Sequence, residues 1–175
     1  MKPSDRDDFF RLPAPDGRGR ESTIVLDRSG GWHHEGAPVE HEGLARGLAS
    51  WVRRHPDDGR YILSNGYDWC YFAVECAPFF VASVWADHGQ AHVRLTDGSV
   101  EPLLLESLVV DEDGVCGCKV RDGAFDARFT RGAQLMLGAL LCDCDAAAIS
   151  VAGRVYTIRS RAGEDEDEAA RRERG

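Results

Sequence analysis

The chain has 175 residues, of which 43% are hydrophobic and 29% charged, and a formal net charge of −9 at neutral pH. That length suits one domain or two small lobes sharing a core, and the composition is that of a globular protein. The acidic balance argues against nonspecific binding to nucleic acid, whose phosphates it would repel, and no apolar run approaches the length of a membrane span.

The sequence opens without an apolar signal segment, so a cytoplasmic protein is expected, with its six cysteines as free thiols. Residues 1–21 carry five basic and five acidic side chains and several Pro and Gly, and read as a disordered leader. Within it Phe9, Phe10 and Leu12 form an apolar anchor able to dock. Only Lys2 and Lys119 are lysines, and the other 19 basic residues are arginines. Arginine presents a planar fork suited to a local phosphate or carboxylate.

A first strand is expected at Thr23–Asp27, a turn at Arg28–Gly31 and a second strand from Trp32 to His34. Leu44, Leu48, Trp51 and Val52 then fall at i, i+4, i+7 and i+8, which predicts a helix from about His41 to Arg54. Pro56 and the Asp57–Gly59 turn stop it. Strands follow at Tyr61–Leu63, Trp69–Glu75 and Phe79–Trp85, with a tight turn at Asn65–Gly66 and a break at Pro78.

Further strands are expected at His92–Leu95, Val115–Val120 and Phe125–Phe129, with extended or mixed chain from Leu103 to Val110. Thr130 caps a second helix from about Arg131 to Cys142. A hairpin bent at Gly153 spans Ile149–Ile158, and residues 161–175 read as a charged, disordered tail. The order strand, glycine turn, strand, helix, strands occurs twice, at 23–75 and 115–158. That echo suggests an α+β fold built by internal duplication of a strand-strand-helix-strand unit. The lobes are placed at 22–88 and 89–160.

Several pieces occur in a fixed order. They are the strand, glycine turn and Trp-His-x-Glu-Gly-x-Pro segment from Ile24 to Pro38, the helix from Leu44 to Val52, the Tyr-Ile-Leu strand at Tyr61, and the Val-Glu-x-Ala-Pro-Phe block from Val74 to Phe79. Together they resemble an uncharacterised bacterial family, the domain of unknown function 1285, over roughly residues 22–158. Where that family tends to carry an acidic residue before Ala-Pro-Phe, this chain has Cys76, and Ser64 to Trp69 departs from the usual segment. The resemblance implies two similar lobes, the second loosely like a pleckstrin-homology fold. It also implies a small-ligand site between them, nucleotide-like in character, and a signalling role.

The candidate ligand-binding residues are Trp32, His34, Tyr67, Asp68, Trp69, Pro78, Phe79, Arg128 and Arg131. Tyr67 and Trp69 could stack a ligand beside the Asp68 carboxylate. Arg128 and Arg131 flank a helix N-terminus, where an anion meets free N–H groups.

Two metal arrangements weigh less than a metal-free reading. His33, His34, Glu35, His41 and Glu42 do not converge on a strand, and the Cys116/Cys118 and Cys142/Cys144 pairs lack the spacer of a zinc knuckle. No cofactor is expected, and no nucleophile elbow or phosphate loop occurs. The expected function is non-enzymatic binding of a small ligand. The alternatives are a hydrolase or isomerase using Asp68 or Glu75 with a histidine of the 33–41 patch, and a protein-interaction module.

Overall fold

Residues 2–6, 8–15, 17, 19–140, 148–151 and 153–160 are described by the computed structural model. The expected tail at 161–175 and the Cys142/Cys144 pair lie outside them. The chain divides into two units, Met1–Pro78 and Phe79–Gly175. The division falls earlier than the expected 88/89 because the strand starting at Phe79 pairs only with strands that follow it.

In the N-terminal unit, β1 (Glu21–Leu26), β2 (Trp32–His34) and β3 (Ala37–Pro38) form an antiparallel meander. The turn between β1 and β2 is set by Asp27, whose carboxylate accepts from the Ser29 and Gly31 N–H groups and from the Ser29 hydroxyl. Helix α1 (Glu42–Trp51) follows, N-capped by His41, whose Nδ1 accepts from the Leu44 N–H at 3.1 Å. Then come β4 (Val52–Arg54), β5 (Tyr61–Ser64) and β6 (Trp69–Val74). Sheet order is β3-β2-β1-β6-β5-β4, with β1 parallel to β6.

Val52–Arg54 continues the helical spacing in sequence yet is a strand, because it pairs antiparallel with Tyr61–Leu63 across the Pro56–Gly59 turn. β-branched Val52 suits that exchange and is fully buried there.

Side chains alternate across this sheet. Leu63, Cys70 and Phe72 share one face, on which α1 rests, and Trp32 packs on Phe72 at 5.4 Å. Ile62, Trp69 and Tyr71 share the other. That second face is covered by the expected leader. Its described residues form 3-10 turns at Pro3–Asp5 and Phe9–Arg11, and Phe9 packs on Ile62 and Trp69 with Phe10 beside it. A disordered leader is thus corrected in part, since the apolar anchor docks.

Buried His55 completes this layer, its ring 4.9 Å from Trp69 and 5.6 Å from Tyr71. Nε2 faces the Phe10 carbonyl at 3.2 Å, and Nδ1 meets the Asp57 N–H at 3.3 Å, so Nε2 donates and Nδ1 accepts.

The C-terminal unit opens with β7 (Phe79–Asp87), β8 (Gln90–Leu95) and β9 (Val100–Pro102). A 3-10 turn at Leu105–Ser107 leads to β10 (Val109–Val110), β11 (Cys116–Val120) and β12 (Phe125–Phe129). Helix α2 (Arg131–Gly138) is capped by Thr130, as expected, though its bounds stop short of Cys142. β13 (Ala148–Val151) and β14 (Arg154–Thr157) form a separate hairpin, and β15 (Arg159–Ser160) pairs β10.

The seven-stranded sheet runs β15-β10-β11-β12-β7-β8-β9. Arg121, in the β11–β12 turn, ion-pairs with Asp97 of the β8–β9 turn, and its N–H donates to Glu101 on β9. Three strands separate β9 from β11 in the sheet, so the contact requires the sheet to curl. One helix, α2, packs on β7 of this curled sheet. Both units share a hairpin, a side-chain N-cap and a helix. After the helix, the first unit returns all its strands to the main sheet, whereas the second returns only β15 and sets β13 and β14 apart as a hairpin.

Candidate ligand-binding grooves of the N-terminal unit

Helix α1 is rich in small residues, with Gly43, Ala45, Gly47 and Ala49 among its ten, and buries only Leu48 and Ala49. A helix with so little bulk cannot fill the space beside it, and open grooves follow its length. At its C-terminal end lies a cavity of about 590 Å³. Lys2, Arg53 and Arg54 border it with Ser4, Phe10, Ser50, Trp51, Ser64, Asn65 and Gly66. Among the described residues its lining holds three cations and no carboxylate.

Local structure explains how the cations come together. Arg53 donates to the carbonyls of Ser50 and Val52, closing the end of α1, and makes no ion pair among the described residues. Arg54 lies over the Tyr61 ring at 4.7 Å and donates to the Gly59 carbonyl at 3.1 Å. Lys2 arrives with the N-terminal segment, which donates from the Ser4 N–H to the Gly66 carbonyl. Gly66 has φ +90°, and a Cβ there would meet Lys2 Cδ at 2.9 Å, so the glycine permits this close approach.

A second cavity of about 470 Å³ lies at the opposite end of α1. Its walls are largely apolar, from Ile24, Ala37, Pro38, Val39, Leu44 and Leu48, with His34, Glu40 and His41 alongside. A smaller one of about 170 Å³ lies between the two, against Ile24, Leu48, Trp51, Leu63, Asn65, Asp68, Trp69 and Cys70. Trp69 carries a buried indole N–H with no acceptor among the described residues.

The residues expected from sequence to bind a ligand are distributed over both units. Trp32, Trp69, Pro78 and Phe79 are buried, so their bulk serves packing and offers no stacking platform. Phe79 packs edge-on against Phe125 at 5.2 Å in the second unit. Tyr67 is 67% exposed on its turn, which Asn65 holds by accepting from the Tyr67 and Asp68 N–H groups. Asp68 ion-pairs with Arg20. His34 lies exposed on β2 and borders the apolar groove. Arg128 pairs with Asp111 at 2.9 Å and Asp113 at 3.3 Å, which turns it toward carboxylates of its own unit. Arg131 is exposed at the start of α2.

His33, expected in a His/Glu patch, pairs with Asp27 at 2.8 Å. Burial opposes ionisation of Asp27, but hydrogen bonds from Ser29, His33 and Gly31 outweigh it and lower the carboxyl to about 2. No cluster of three metal-ligating side chains forms among the described residues. No described helix is long and apolar enough to cross a membrane.

Sequence reasoning missed Lys2, Arg53, Arg54 and Ser64 as a set. The one available signal was that Arg53 and Arg54 fall outside the apolar stripe of α1.

The fold is that of solved proteins from the DUF1285 family. A member from Silicibacter pomeroyi superposes with a TM-score of 0.61 at 17% identity, over 83% of this chain and 84% of that one. A member from Shewanella baltica gives 0.55 at 15% identity, over 67% of this chain and 91% of that one. The resemblance read from the motifs between Ile24 and Phe79 is therefore matched in three dimensions, at the level of fold. No protein-family model and no curated protein matches the chain significantly.

Proposed function

We propose that the chain is a non-enzymatic binding protein for a small ligand bearing a phosphate or carboxylate, held at the C-terminal end of α1. The observation that carries this reading is the meeting of Lys2, Arg53 and Arg54 around one concave space in a chain of net charge −9. Cations gathered in a cleft focus the local field and accept an anion despite the surrounding acidity. The Ser4 and Ser64 hydroxyls and the Asn65 amide border the same groove and supply further polar partners. A signalling role for such binding is carried over from the family resemblance of the sequence motifs.

Turnover has weaker support. A hydrolase or isomerase would need Asp68 or Glu75 to face a histidine of the 33–41 patch. Asp68 instead meets Arg20, Glu75 accepts from the Arg28 N–H, and His33 meets Asp27.

Thermal shift with inorganic phosphate and AMP tests the reading. Ligand at 100-fold excess over Kd adds about 2.7 kcal/mol of stability, a shift of several degrees. The shift is expected in the wild type and lost in Arg53→Gln/Arg54→Gln, with circular dichroism confirming the fold. No shift with any anion in the wild type would remove the proposal.

A further inference from the structure

We infer that the ligand is a single-chain amphiphile, a free fatty acid or monoalkyl phosphate, with its anionic head at Arg53 and its chain lying along α1. This rests on the basic-groove reading above and adds an apolar tail to it. The three cavities share walls. Trp51 and Asn65 border both the basic groove and the middle one, and Ile24 and Leu48 border both the middle one and the apolar one. Leu44, Leu48 and Trp51 stand at i, i+4 and i+7 on one face of α1 and mark the path. At 1.5 Å per residue that path is about 10 Å long.

The two ends differ in charge and polarity, although Asp68 borders the middle cavity and His34, Glu40 and His41 border the apolar one. Cations border one end, and Ile24, Pro38, Val39 and Leu44 border the other. Leu44 is 46% exposed there, on the groove side of an amphipathic helix. An alkyl chain covering that surface would gain hydrophobic free energy, whereas a ribose and base would set polar groups against it.

Isothermal titration of the full chain decides it. The probes are octanoate, decanoate and dodecanoate below their micelle concentrations, with dodecyl phosphate, dodecanol and inorganic phosphate for comparison. Each fully buried methylene strengthens binding about fourfold, so partial burial of the four added methylenes predicts about a tenfold rise from octanoate to dodecanoate. Dodecanol, lacking the charge, is expected to bind far more weakly. Leu44→Glu, at an exposed position, is expected to abolish the dependence on chain length and leave phosphate binding intact.

Phosphate binding with no dependence on chain length would overturn the amphiphile and leave the anion groove standing. Failure of every probe, phosphate included, would overturn both. Dodecanol binding as tightly as dodecanoate would overturn the head-group assignment. Binding to phosphatidylglycerol vesicles with none to monomeric dodecanoate would replace the free amphiphile by a membrane surface and overturn the inference.

Discussion

The guanidinium of Arg20 lies 4.4 Å from the centroid of the Trp69 ring while its Nη1 donates to the Asp68 carboxylate and to the Trp69 carbonyl. Its Nη2 reaches the carbonyls of Leu12 and Pro13 at 3.1 and 3.0 Å. One side chain thereby fastens the N-terminal segment, the 65–68 turn and the start of β6.

Arg20 is only 15% exposed and makes several charge-assisted bonds, so Arg20→Met should lower the unfolding free energy by about 2–4 kcal/mol. Asp68 is 56% exposed, and Asp68→Asn should cost about 1 kcal/mol or less. Urea denaturation of both variants checks the ranking, and equal losses would contradict it.

Phe9, 5% exposed, sits in a cluster with Ile62 and Trp69. Phe9→Ala should destabilise by about 3 kcal/mol through the cavity it leaves. Trypsin cleavage after Arg11 should then accelerate, since the turn holding that bond would loosen. An unchanged urea midpoint would mean that the docking of Phe9 contributes nothing to the fold.

Thiol accessibility separates the described cysteines. Burial pushes the Cys118 thiol up to about 12, with the nearby Glu101 and Asp126 carboxylates adding to it. Burial likewise raises Cys116 and, less sheltered, Cys70. Cys76 is exposed. Iodoacetamide labelling mapped by peptide mass should modify Cys76 first and Cys118 last among these four. Early labelling of Cys118 would show that β11 is not packed as described.

Asp27 supplies a pH dependence with a defined sign. Its folded value of about 2 lies below the ordinary 3.8, so the charged form is favoured in the fold. The stabilisation is complete above pH 3.8 and is lost as pH falls toward 2. After allowance for solvent screening it amounts to about 1 kcal/mol. Asp27→Asn should flatten that part of the acid-stability curve, measured by urea midpoints between these limits.

Local signals made much of the fold legible. Glycine and Asx turns marked the hairpins, Thr130 marked α2, and the apolar stripe of Leu44, Leu48 and Trp51 marked α1. The strand at Val52–Arg54 was hidden because its residues also satisfy the helical spacing, and only pairing with Tyr61–Leu63 decides between them. The aromatic stretch from Tyr61 to Trp85 was legible as bulk but not as surface. Trp69 and Phe79 are buried, and Tyr67 alone of the three stands out in solvent. The grooves were illegible because they depend on the gap beside α1, and that gap depends on which helical faces bear small side chains. Lys2 and Arg53 are far apart in sequence and meet only through the docking of Ser4 on Gly66.

Arg53 and Arg54 also occupy an outer strand. The six-stranded sheet ends in β4 on one side and in the two-residue β3, with its Pro38, on the other. Short strands bearing charge or proline make poor templates for a strand from another chain, so this sheet is guarded against edge-to-edge aggregation. The two arginines that border the basic groove are gatekeepers of that edge as well. Replacing them with valine would confound loss of ligand with self-association, whereas glutamine keeps the edge polar and isolates the groove.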